Sequence, residues 1–65
     1  MLCNNRVKEV RTQRGMTQEA LALASGVTRQ TIISIEKGKF IPSVKLALEI
    51  ARALSVSLES IFWLE

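Results

Sequence analysis

Gln30, Ser34 and Lys37 recur at helical spacing, so on a helix they fall on one face, with Ile33 in the same stripe and Arg29 and Thr31 at its flanks. Their side chains are an amide, hydroxyls, a guanidinium and an ammonium. Such groups suit the polar edges of bases and the oxygens of phosphates. Arginine donates two parallel hydrogen bonds to guanine and glutamine pairs bidentately with adenine, and a well-made pair discriminates by about 1–3 kcal/mol. Lysines and hydroxyls bind phosphate oxygens and hold register without reading sequence. Taken alone, the stripe is better read as a solvated helix face, and it is the elements around it that favour DNA.

Those elements run from Thr17 to about Gly38. The Thr17 hydroxyl caps a short helix that carries Leu21, Ala22 and Ala24 and ends near Ser25. Gly26 follows, the residue type that most easily takes the left-handed conformation ending a helix. Val27 plugs the angle, Thr28 caps a second helix, and Gly38 stops it. Ile32 and Ile35 point that second helix towards a core, which turns the polar stripe outward. Two helices, a glycine turn and an outer face of this chemistry suggest a helix-turn-helix reader of DNA.

Other chemistries find little support. The chain has 65 residues, one domain's worth (1–65), with nine basic against six acidic residues and a net charge of +3. That balance favours a polyanion without requiring one. Cys3 is the lone cysteine and there is no histidine, so neither an internal disulfide nor a zinc site is expected. Nor is there a phosphate-cradling glycine loop or a base near Cys3, which argues against an enzyme. No metal, cofactor or small-molecule ligand is indicated. Neither a membrane span nor a signal peptide is evident, and a reducing cytoplasm fits. Apolar residues make up 48% of the chain. A core this small supplies only about 3–5 kcal/mol, so a second copy would help.

The remaining segments read as helices that support the central pair. Residues Met1 to Asn4 are expected to fray, and Asn4 or Asn5 to cap a first helix reaching about Arg14. Its inward stripe is Val7, Val10, Arg11 and Arg14. Arg11 among apolar neighbours demands a partner, and Glu36, one turn beyond the inward Ile32, is the best placed; the spacing predicts an Arg11–Glu36 ion pair. Gly15 ends this helix and Met16 enters the core. Phe40 and Ile41 are expected to lid the core from the loop Lys39–Pro42. Ser43 caps a fourth helix, about Val44 to Leu54, with Ala47, Ile50, Ala51 and Leu54 inward and Leu46 and Leu48 widening that stripe. Ser57 caps a last short helix in which Leu58, Ile61 and Phe62 share a face. The fold class is therefore all-α, a compact five-helix domain, with room for a short C-terminal strand in the tail. Ile61, Trp63 and Leu64 are assigned to a self-association surface, giving a homodimer.

Several runs carry a family pattern: RGMTQEALA, SGVTRQTI across the turn, IEKGK, then IPS and LEIARALSVSLESIF. From Arg6 to Phe62 the chain resembles the Cro/cI-type (lambda-repressor-like, Xre) helix-turn-helix regulators of bacteria and phage. The resemblance implies that the third helix enters the major groove, usually as a dimer on a two-fold operator. It implies that Arg29, Gln30 and Ser34 read bases, and that Gln18, Thr28, Thr31, Lys37 and Lys39 meet the DNA backbone. Arg11 and Glu36 match the family's ion pair. Ile33 departs from the pattern, standing where a polar residue is common; it is counted with the base contacts, to touch a thymine methyl or simply to fit against a sugar. Leu23 replaces a common charge, and Ser55 a common glycine. The expected function is double-stranded DNA binding and transcriptional control, repression being the simplest form, in a bacterial, archaeal or phage-encoded cytoplasmic protein. Two alternatives stand beside it: an antitoxin or phage-type switch regulator that also binds a partner protein, and a helical interaction module without DNA binding.

Overall fold

Among residues 3–64, which the computed structural model describes, three helices begin on a hydroxyl that accepts a backbone N–H. Thr17 accepts from Ala20 at 3.0 Å, Thr28 from Thr31 at 3.3 Å and Ser43 from Leu46 at 3.1 Å. These caps start α2 (Gln18–Ser25), α3 (Arg29–Glu36) and α4 (Val44–Leu54). The order along the chain is β1 (Cys3–Asn5), α1 (Val7–Gln13), α2, α3, α4, α5 (Leu58–Ile61) and β2 (Phe62–Leu64).

The first four helices end in one way. A residue in the left-handed region follows each, and the two N–H groups at the exit fold back onto the last turn. After α2 this residue is Gly26 (φ 75°), and Val27 N–H then reaches the Ala22 carbonyl at 3.0 Å. A side chain here would meet no atom, so glycine is required by backbone conformation and not by crowding. After α4 the residue is Ser55 (φ 58°), the one described non-glycine residue with a positive φ, and Val56 N–H closes on Ala51 at 3.0 Å.

One core unites the helices. Val7 and Val10 of α1, Leu21 and Ala22 of α2, Ile32 and Ile35 of α3, Ile50, Ala51 and Leu54 of α4 and Ile61 of α5 are buried together. Met16, Val27, Leu46 and Phe62 pack around them. Ile61 is 0% exposed. It is core, and its assignment to a self-association surface is corrected.

The N-terminus differs from expectation. Instead of fraying, Cys3–Asn5 pairs antiparallel with Phe62–Leu64 in the register Cys3↔Leu64, Asn4↔Trp63 and Asn5↔Phe62. Arg6 N–H extends the pairing to the Ile61 carbonyl at 3.0 Å. The five helices therefore carry a two-stranded ribbon made from both ends of the chain. Met1 and Leu2, also expected to fray, lie outside the described residues. Asn5 does cap α1, from one residue further out than a standard N-cap: its Oδ1 accepts Val7 N–H at 3.1 Å. Three apolar expectations fail as well. Phe40, Ile41 and Leu48 are on the surface, and Arg14 is exposed at the end of α1.

Candidate nucleic-acid interface

α3 is anchored from behind by three side chains. Arg11 Nε donates to Glu36 Oε2 at 2.7 Å, and the two side chains are only 12% and 4% exposed. The same guanidinium donates to the Met16 carbonyl at 2.8 Å, which ties the exit of α1 into the cluster. Gln18 Nε2 donates to Glu36 Oε1 at 3.1 Å, so the N-terminus of α2 is held as well. From the ribbon, Asn5 Nδ2 donates to the Ile35 carbonyl at 2.9 Å, one of the last carbonyls of α3. The Arg11–Glu36 pair expected from spacing is thus present. The Asn5 tether was not foreseen, because only the folded ribbon brings Asn5 to that carbonyl.

This anchoring has an electrostatic consequence. Glu36 is the only acidic residue of α3, and its carboxylate is turned inward and occupied by Arg11 and Gln18. The charged groups left exposed along α3 and its exit are Arg29, Lys37 and Lys39, all cationic. Gln30 is exposed between them, and Thr31, Ile33 and Ser34 are half-buried on the same helix.

Part of the candidate set surrounds one concavity. Thr28, Gln30, Thr31, Ser34 and Lys39 line a shallow depression of about 320 Å³, together with Phe40. The Thr28 and Thr31 hydroxyls are bonded to each other at 3.2 Å at one side of it. Lys39 is drawn towards α3 because its N–H closes on the Ser34 carbonyl at 2.9 Å. Arg29 and Ile33 lie elsewhere on α3, and Lys37 just past its end. Gln18 stands apart, engaged with Glu36. Phe40, expected to lid the core, is instead 47% exposed and lines the depression with Gln30 and Ser34.

Trp63 and Leu64 are exposed on β2. The Arg6 guanidinium lies 5.0 Å from the centroid of the Trp63 ring, within cation–π range. Ile41, Pro42, Val44, Leu58, Phe62 and Leu64 line a second depression, of about 430 Å³ and mostly apolar. Among the described residues, no helix is long and apolar enough to cross a membrane.

Comparison with known proteins agrees with this geometry. The model of the helix-turn-helix family matches residues 7–61. An uncharacterized helix-turn-helix-type transcriptional regulator of Bacillus subtilis, YgzD, is 52% identical over 61 residues, covering 94% of this chain and 92% of its own. Among solved structures, the restriction-modification controller protein C.AhdI of Aeromonas hydrophila superposes with a TM-score of 0.79 at 33% identity, over 83% of this chain and 78% of that one. A putative DNA-binding protein of Bacteroides fragilis gives 0.86 at 26% identity, over 95% of this chain and 100% of that one.

Proposed function

The chain belongs to the Cro/cI-type helix-turn-helix family, and from that premise we propose that it binds double-stranded DNA and regulates transcription with α3 laid in the major groove. The observation that carries this reading is the disposal of Glu36. Its carboxylate is consumed behind α3, which leaves an outward face of cations, amide and hydroxyls. Arg29, Gln30 and Ser34 read base edges, and Ile33 supplies apolar contact to a thymine methyl. Thr28, Thr31, Lys37 and Lys39 hold the flanking phosphates. Gln18, fixed by Glu36 at the start of α2, sits where unpaired helix N–H groups attract a phosphate.

Regulation by occupancy is the simplest consequence, with repression arising from a covered promoter. A second copy completes the molecule on a two-fold operator. It docks on the apolar depression between the α3–α4 loop, α5 and β2, where Ile41, Val44 and Leu64 are exposed. A mass in light scattering that stays monomeric at every concentration would count against the homodimer.

Titration of a duplex at rising salt tests the proposal as a whole. The logarithm of the binding constant should fall linearly with the logarithm of salt concentration as counterions are released. Absence of salt-dependent binding at low ionic strength would overturn it.

A further inference from the structure

We infer that Phe40 is a DNA-contacting residue that packs its ring against a deoxyribose of the strand held by Lys39, Thr28 and Thr31; this rests on the DNA-binding reading above. The loop leaving α3 divides its side chains between two surfaces. Lys39 and Phe40 line the depression on the α3 side, with Thr28, Thr31 and the base-reading candidates Gln30 and Ser34. Ile41 and Pro42, the next two residues, line the apolar depression on the other side, with Val44, Leu58 and Phe62. Phe40 is therefore set apart from the self-association surface by the turn of the chain itself.

The turn is well defined. Gly38 N–H bonds the Ile35 carbonyl at 3.0 Å and Lys39 N–H bonds the Ser34 carbonyl at 2.9 Å, so the loop leaves α3 in one direction. The depression has the composition that a sugar–phosphate unit requires. An ammonium and the hydroxyl proton that the Thr28–Thr31 pair leaves free suit the charged phosphate, and an aromatic ring suits the apolar face of the sugar. Lys39, which lines the depression, and Arg29 and Lys37, exposed elsewhere along α3 and its exit, match a polyanion. An apolar partner surface would meet those charges unpaired. Because a deoxyribose is common to all nucleotides, the Phe40 contact adds affinity without sequence preference and without releasing counterions.

The test uses a random-sequence duplex and the full chain, with binding measured by anisotropy at several salt concentrations. Phe40→Ala should weaken binding about 5-fold to 10-fold at every salt concentration, as expected for roughly 50 Å² of lost apolar contact. Its salt slope should match that of the unaltered protein. Lys39→Ala should instead lower the slope by about 1. As a check independent of any loss of stability, Phe40→Trp in a Trp63→Phe background places the only indole in the depression, and its emission should change when the duplex is added. Unchanged affinity of folded Phe40→Ala would overturn the inference. So would a change in its salt slope, an indole emission indifferent to bound duplex, or a weakened self-association that accounts for the whole loss of affinity. In all of these the unaltered protein still binds duplex, and the proposed function stands. If the unaltered protein binds no duplex, both fall.

Discussion

Glu36 sits in the last turn of α3, its Oε2 accepting from Arg11 and its Oε1 accepting from both Arg11 and Gln18. Removing its charge leaves the Arg11 guanidinium almost buried without a counter-ion. Glu36→Gln should therefore cost about 3 kcal/mol, which approaches the whole stability of so small a domain. Urea unfolding measures this, and an unshifted midpoint would contradict it. Ser25 presents the opposite case. It is the one buried polar residue of α2, and its Oγ has no hydrogen-bond partner among the described residues. Ser25→Ala removes an unsatisfied hydroxyl and should raise stability by about 1 kcal/mol in the same assay. At this scale the sequence was informative where physics demanded a partner: Arg11 on an apolar stripe needed an acid, and Glu36 was in reach. It was uninformative for Phe40. Hydropathy favours burial of a phenylalanine, but the direction of a loop is set by backbone hydrogen bonds at its start. The Asn5 tether was hidden for the same reason, since it depends on a carbonyl 30 residues away.

The helices were legible because their signals are local. Hydroxyl caps, left-handed exits and helical spacing of apolar residues all lie within a few positions of each element. The β1–β2 ribbon was not, because it joins residues near opposite ends of the chain and each strand has three residues, too few to show alternation. A tail strand could be allowed for, but its partner could not be named. Ser55 shows local reading at its sharpest. A serine standing where the family often has glycine does adopt the left-handed conformation, at φ 58°. That conformation costs an L-residue about 1–2 kcal/mol, and glycine gives back about 0.4–1 kcal/mol through its freer unfolded chain. Ser55→Gly should thus stabilise the protein by about 0.5–1 kcal/mol. Thermal melting tests this, and a lowered melting temperature would show that Ser55 is not strained.

The whole molecule measures 30 × 21 × 19 Å, with a single α3 to offer the major groove. Half-sites on one face of a duplex lie about 34–36 Å apart, so one copy addresses one half-site and a two-fold operator calls for two copies. On the proposed function the outer face of α3 determines sequence, with the caps, the Arg11–Glu36 anchor and the ribbon serving to present it. Selection from randomised duplexes, performed in parallel with the unaltered protein and with Gln30→Ala, tests this most directly. The unaltered protein should enrich a two-fold motif with half-sites one helical turn apart. Gln30→Ala should still bind duplex but lose its preference at one position in each half-site. Enrichment of no motif by the unaltered protein, or of an identical motif by both, would contradict the account.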